Sequence, residues 1–311
     1  MTEFEQADCR IKLAPENIFG VKPRFEIGAF EYRSEHVPDL DPNFAFDPDI
    51  TLGLLDGFEN GKRVFVVGPP GSGKTSHIEQ VAARLNWPCL RINLDGHITR
   101  ADLIGRDMVL LRDGKQITEF VPGMLVWAMK RPIAVIFDEY DAGRADVMFV
   151  IQRLLEQDGR FTLLDKNEVI RPHAAFRLFA TSNTIGQGDS TGLYAGTQVI
   201  NQAQMDRWQL ILQLDYMPCD RELVVLRGLF PGMSGELLAQ MVRFAGFCRH
   251  ANANGELSLQ VSLRTLTSWA SNLQSLGEER LAFRFSVMNR CNDLDKPVVE
   301  EFYQRVFASN H

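Results

Sequence analysis

The sequence predicts an α/β fold, a parallel sheet with flanking helices, followed by a C-terminal helical domain. Three observations predict it. The pattern Gly68-Pro69-Pro70-Gly71-Ser72-Gly73-Lys74-Thr75 stands between an apolar run, Val64–Val67, and a helical pattern from His77 to Leu85. Short apolar runs and helical patterns then alternate, as strands and crossover helices do in a parallel sheet. From about Cys219 onward only helical periodicity remains.

The elements follow in order. Residues 1–47 are rich in Pro, Asp and aromatics, and Pro38, Pro42 and Pro48 argue against a long regular element there. This stretch reads as a small N-terminal segment that packs on the main domain or projects from it. Val64–Val67 reads as the first buried strand and Gly73–Leu85 as its helix, stopped by Asn86 and Pro88. Cys89–Leu94 alternates as a second strand, and Ile133–Phe137 is a continuous apolar run of the kind a central strand needs. Asp146–Gln157 is a helix, and Arg177–Thr181 and Gln209–Leu214 are the last two strands. Two hairpins interrupt the scheme: Met108–Leu111 with Gln116–Phe120 around Asp113-Gly114, and Phe161–Leu164 with Glu168–Ile170 around Asp165-Lys166-Asn167. Helices are expected over Arg221–Leu229, Glu236–His250, Leu263–Leu276, Glu278–Asn289 and Pro297–Phe307. The nucleotide-binding domain is placed at 48–217 and the helical lid at 218–311.

Composition narrows the function. The chain has 311 residues, 45% apolar and 23% charged, an ordinary globular balance. A net charge of −7 argues against nucleic-acid binding by the surface as a whole. The five cysteines form no C-x-x-C pair and read as reduced, packed thiols; the six histidines are dispersed. No apolar stretch approaches the ~20 residues of a membrane span, and the polar N-terminus is unlike a secretory signal. A cytoplasmic protein is expected.

The residues around the loop suit phosphate chemistry. Glycines let the backbone N–H groups face the phosphates, Lys74 can reach the β- and γ-phosphates, and the Thr75 hydroxyl can bind Mg²⁺. Ser76, next along, is counted with Gly68, Pro69, Pro70, Gly71, Ser72, Gly73, Lys74 and Thr75 in the nucleotide-binding set. Asp138 and Glu139 end the apolar strand at the sheet edge that carries the ligand crevice. Asp138 suits Mg²⁺ coordination through water, and Glu139 suits polarising the attacking water. Asn183 ends a neighbouring strand and could orient that water. Asn93 could hydrogen-bond Glu139. Arg207 could complete an adjacent subunit's site, and Arg264 could reach the same phosphate from within the chain; a surface salt bridge is the plain alternative for both.

These residues resemble the AAA+ ATPases of the MoxR and chelatase branch over nearly the whole chain. The resemblance implies roles: Gly68–Thr75 as Walker A, Ile133–Glu139 as Walker B, Asn183 as sensor 1, Arg207 as arginine finger and Arg264 as sensor 2. It also implies an insert in the second helix at Met108–Phe120 and a hairpin before sensor 1 at Phe161–Ile170. Longer stretches, Val37–Pro42, His77–Leu94, Phe137–Leu154, Val169–Asn183 and Gly196–Trp208, with the short Ile18–Val21, are similar to the family of small ATPase subunits of aerobic cobaltochelatase. Two departures are that the loop has the generic AAA+ form and that Ser262-Leu263-Arg264 replaces the branch's usual Ser-Pro-Arg.

The resemblance implies an ATP- and Mg²⁺-dependent motor in a homo-oligomeric ring, a hexamer by the family's habit, with no membrane. It implies a companion subunit with a VWA domain carrying a metal-ion-dependent adhesion site (MIDAS), and a large chelatase subunit. The reaction would be Co²⁺ insertion into hydrogenobyrinic acid a,c-diamide, with chelation belonging to the assembly. The alternative is a MoxR-type chaperone that activates another metalloenzyme with its own VWA partner. A DNA-acting AAA+ motor is disfavoured by the acidic balance.

Overall fold

The computed structural model describes residues 10–156, 159–163, 166–184 and 200–307. Expectations that touch Met1–Cys9, Gln157, Leu164, Asp165, Gly196–Val199 and residues 308–311 lie outside the described residues. The chain divides into two units: Met1–Asp41, Phe46–Gly68 and Lys74–Leu214 form one, and Pro42–Ala45, Pro69–Gly73 and Asp215–His311 the other.

The first unit begins with β1 (Arg10–Leu13), α1 (Pro15–Phe19) and β2 (Ile27–Phe30), with β1 and β2 paired antiparallel. Then come α2 (Pro48–Asn60), β3 (Val64–Val67), α3 (Lys74–Arg84) and β4 (Cys89–Asn93). Next are α4 (Arg100–Ile104), β5 (Gly105–Arg112), β6 (Lys115–Pro122) and α5 (Met124–Met129). The unit closes with β7 (Ala134–Asp138), α6 (Ala145–Leu154), β8 (Phe161–Leu163), β9 (Glu168–Ile170), β10 (Arg177–Ser182), α7 (Gln202–Met205) and β11 (Leu210–Gln213). Five strands form one sheet in the order β11-β3-β10-β7-β4, and every pairing is parallel.

The side-chain period of two explains why these strands read as unbroken apolar runs. Phe65, Val67, Val135, Phe137, Leu178 and Ala180 pack on one face of the sheet with α4, α5 and α6. Val64, Val66, Ala134, Ile136 and Phe179 pack on the other with α2, α3 and the N-terminal residues Phe19, Ile27 and Phe30. A parallel sheet covered on both faces has no solvent side on which polar residues could alternate. Residues 10–30 are part of this second layer: Phe30 N donates to Leu85 O at 2.9 Å, and Arg10 pairs with Glu59 at 2.6 Å.

Both expected hairpins form. In β5–β6 the turn residues Asp113 and Gly114 have φ of 50° and 74°, the left-handed pair a two-residue turn demands. This hairpin separates the short helices α4 and α5, so the second helix of the sheet domain carries it as an insert. β8 and β9 pair antiparallel in the register Phe161↔Ile170.

The second unit holds α8 (Cys219–Leu229), α9 (Gly235–Ala253), α10 (Leu263–Leu276), α11 (Glu279–Ser286) and α12 (Lys296–Phe307). Its own core is built on Leu226, Met241, Phe244, Trp269, Phe283 and Val299. A buried Glu222 takes two hydrogen bonds from Arg249, at 2.9 and 2.7 Å, which satisfies both charges away from water. The helix expected over Glu278–Asn289 stops at Ser286, because Val287 leaves helical geometry (φ −125°, ψ −64°) with its side chain fully buried; a 3₁₀ turn, Met288–Arg290, follows.

Candidate active site

The ends of β3, β7 and β10 bring four of the expected residues together. The loop after β3 curls at Gly71 and Gly73, with φ of 75° and 94°, values that glycine adopts without steric cost. Its base is pinned to β10, because Gly68 N donates to Ser182 O at 3.3 Å. Lys74 opens α3 and is 8% exposed. Its Nζ donates to Gly68 O at 2.8 Å and to Asn183 Oδ1 at 2.9 Å. Ser72 Oγ is buried and has no hydrogen-bond partner among the described residues. An orphaned hydroxyl in the loop, and a lysine at a helix start whose first N–H groups have no intrahelical acceptor, each suit an anionic ligand.

Asp138 is the hub. Its Oδ1 accepts from Thr75 Oγ1 at 2.8 Å and from the Thr181 hydroxyl. Its Oδ2 accepts from the Arg91 guanidinium. Burial acts to raise this carboxyl, but the bonds from Thr181 and Thr75 and the Arg91 charge outweigh it and hold the group below its ordinary range. Thr75 and Asp138 together offer the hard oxygen donors that suit Mg²⁺. Glu79, one turn beyond Thr75, is pushed up by burial, drawn back by Arg91 and pushed up again by Asp138.

Glu139 follows immediately with φ 55° and ψ 47°, a left-handed conformation that turns its side chain out of the buried strand into solvent. Asn93 pairs in register with Asp138 and is exposed. No hydrogen bond joins it to Glu139 among the described residues. Asn183 is fixed from behind by Asp141, which is 1% exposed: Asp141 Oδ2 accepts from Asn183 N at 3.2 Å, Thr184 N at 3.1 Å and Thr184 Oγ1 at 3.0 Å. Arg207 lies just before β11, tied within its own chain. Its Nε and Nη2 reach Glu156 Oε1 at 3.1 and 3.0 Å, and its Nη1 donates to Ala203 O. Arg264 sits in the first turn of α10, exposed.

Arg91, Thr181, Asp141 and Glu156 were not singled out by sequence reasoning. Thr181 carried a usable signal: it lies on the same pleat as Asn183 in a run already marked as a strand end. For the other three, nothing beside them in sequence points to partners that lie more than 40 residues away.

A parallel sheet with a phosphate loop after one strand and an acid pair ending another defines a phosphate-loop nucleoside triphosphatase. Residues 63–197 match the AAA domain of the dynein-related subfamily. Over 300 residues the chain is 50% identical to the aerobic cobaltochelatase subunit CobS of a Sinorhizobium species, covering 95% of this chain and 90% of that one. The chain belongs to the CobS family. It is also 33% identical over 157 residues to midasin of Dictyostelium discoideum, covering 50% of this chain and 2% of that protein. Among solved structures, a RuvB variant of Thermotoga maritima is similar with a TM-score of 0.47 and 12% identity, covering 83% of this chain and 67% of that one.

Proposed function

We propose that this chain is the ATP-hydrolysing subunit of an aerobic cobaltochelatase, driving Co²⁺ insertion into hydrogenobyrinic acid a,c-diamide. The observation that carries the reading is the 50% identity to CobS across 95% of the chain. The gathering of Lys74, Thr75, Asp138 and Asn183 at one sheet edge supports ATP hydrolysis as the chemistry.

The residues divide the work. Gly68, Pro69, Pro70, Gly71, Ser72, Gly73 and Ser76 shape the loop and helix start around the phosphates. Lys74 exchanges its bonds to Gly68 and Asn183 for phosphate oxygens. Thr75 and Asp138 hold Mg²⁺, which neutralises phosphate charge when bound. Glu139, already in solvent, polarises the attacking water, and Asn183, steadied by Asp141, orients it. Arg207 serves the neighbouring subunit's ATP, which requires it to leave Glu156. Arg264 serves the ATP of its own chain. The working form is a cytoplasmic ring, a hexamer as in the MoxR branch, of nucleotide-binding domains (48–217) and lids (218–311). It acts with a VWA/MIDAS companion and a large chelatase subunit.

Reconstitution tests this reading. The purified chain, combined with a VWA companion and a large chelatase subunit, should support ATP-dependent cobalt insertion followed by the corrinoid absorbance change. Insertion that proceeds equally without this chain, or with its Glu139→Gln variant, would sink the proposal.

A further inference from the structure

The position of Arg91 has no role in the scheme above. It lies on β4 opposite Ile136 of β7, two residues before the pair Asn93 and Asp138. With a side-chain period of two, Arg91, Asn93 and Asp138 share one face of the sheet, and a long side chain can cross diagonally to the next pair. Arg91 does so: its Nη2 donates to Asp138 Oδ2. The other oxygen of Asp138 is already taken by Thr75 and Thr181. Oδ2 is therefore the oxygen on which a further cation bears, and Arg91 holds it.

The surroundings point the same way. The Arg91 side chain is 53% exposed while that of Asp138 is 8% exposed, so the guanidinium covers the acid from the solvent side and can swing away. An ion pair with one member half in water contributes little to folding, too little to make stability its main consequence. Its consequence for the site is more direct, because a divalent ion must approach the same carboxylate against a neighbouring positive charge.

We propose that Arg91 is a positioning residue that competes with the divalent cation for Asp138 and so sets how much Mg²⁺ nucleotide binding requires. This rests on the assignment of Thr75 and Asp138 as the Mg²⁺ residues. With Arg91 in place, Asp138 keeps a compensated charge, and Mg²⁺ draws on the carboxylate only against the guanidinium's positive charge. An ammonium at this position keeps the charge but loses the planar fork, and a methionine or glutamine removes the competitor.

The test is the affinity of the full chain for a fluorescent ADP analogue, measured from EDTA through increasing Mg²⁺. Wild type, Arg91→Met, Arg91→Gln and Arg91→Lys are compared, with thermal melts to verify folding. Without Mg²⁺ the four affinities should agree within about twofold. The Mg²⁺ concentration giving half of the gain should fall at least about threefold in Arg91→Met and Arg91→Gln, as loss of a weak opposing ion pair predicts, with Arg91→Lys near wild type. Coincident Mg²⁺ curves would overturn the proposal. So would a Met or Gln variant that binds nucleotide more weakly in EDTA, since the guanidinium would then contact the nucleotide itself. Thr75→Ala separates the underlying assignment: if it keeps the full Mg²⁺ gain of the wild type, the metal reading of Thr75 has failed, whatever Arg91 does.

Discussion

Lys74 Nζ lies 2.9 Å from Asn183 Oδ1, so the cation of the phosphate loop and the amide ending β10 are one hydrogen-bonded unit. The pair spans two strands that the sheet places side by side, with Ser182 paired to Val67. A phosphate entering the loop competes with Asn183 for the same ammonium. Binding and the placement of Asn183 would thereby be coupled, since one of the ammonium's three donors already points at the amide.

That coupling gives the first prediction. Lys74→Ala should weaken ATP binding about 10- to 100-fold, the cost of losing a charge-assisted bond to phosphate. Asn183→Ala, which removes one acceptor from the lysine and leaves its bond to Gly68 O, should bind ATP at least as well as wild type and yet turn it over slowly. Equilibrium binding with a fluorescent nucleotide measures both. Wild-type affinity in Lys74→Ala would remove the loop's lysine from the site.

Glu139 is exposed at a left-handed turn and so stands clear of the bonds that fix Asp138. Glu139→Gln should leave nucleotide affinity near wild type and slow hydrolysis about 10²–10⁴-fold, the usual range for loss of a general base. The variant should also keep ATP bound through gel filtration. Near-normal phosphate release would assign activation of the water to another group.

The fold was legible where burial forces a pattern on the chain. Val64–Val67 and Ile133–Phe137 read as strands because both faces of a covered parallel sheet must be apolar, and the phosphate loop is legible because its glycines and lysine are contiguous. What stayed hidden depends on register. Nothing near Arg91 in sequence marks it as a partner of Asp138, 47 residues away; only the pairing of β4 with β7 brings them together. Nothing in the sequence around Asp141 singles it out, yet it anchors the segment that holds Asn183. The early end of α11 at Val287 was equally invisible, because the apolar spacing continues through the break.

His77 supplies a pH prediction. It faces α2 from α3, with Nε2 2.9 Å from Thr51 Oγ1; since that hydroxyl donates to Asp47 O, the ring nitrogen carries the proton. Burial, only partly offset by Asp47, lowers its pKa from 6.5 to about 4. The folded chain therefore resists a proton that the unfolded chain accepts below pH about 6.5. The stability tied to neutral His77 is complete above that pH and is lost as pH falls toward 4, by up to roughly 3 kcal/mol. Urea melts at pH 7.5 and 5 should show a drop that His77→Gln largely removes. An equal drop in both proteins would place the titration elsewhere.

Arg207 carries the last prediction, because the structure adds a condition to its proposed role. Its guanidinium is bound to Glu156 and to Ala203 O, and Arg63 reinforces the arrangement by donating to Arg207 O at 3.0 Å and to Glu156 O at 3.2 Å. If Arg207 serves the neighbour's ATP, Arg207→Ala should bind nucleotide normally and lose about 10³–10⁵ in hydrolysis, the usual value of an arginine supplied in trans. Glu156→Ala should behave differently. It frees the arginine without deleting it, so hydrolysis should survive and change by less than about tenfold, in line with a partly exposed ion pair. Mixing Arg207→Ala with Glu139→Gln then tests action between subunits, since each protein holds the half-site the other lacks. Some interfaces in mixed rings would join an intact Glu139 to an intact Arg207, and hydrolysis should return in proportion to them. If exchange of subunits is verified by native mass measurement and the mixture stays inactive, Arg207 does not act in trans. Its bonds to Glu156 and Ala203 would then be its whole function, holding the end of α7 in place before β11.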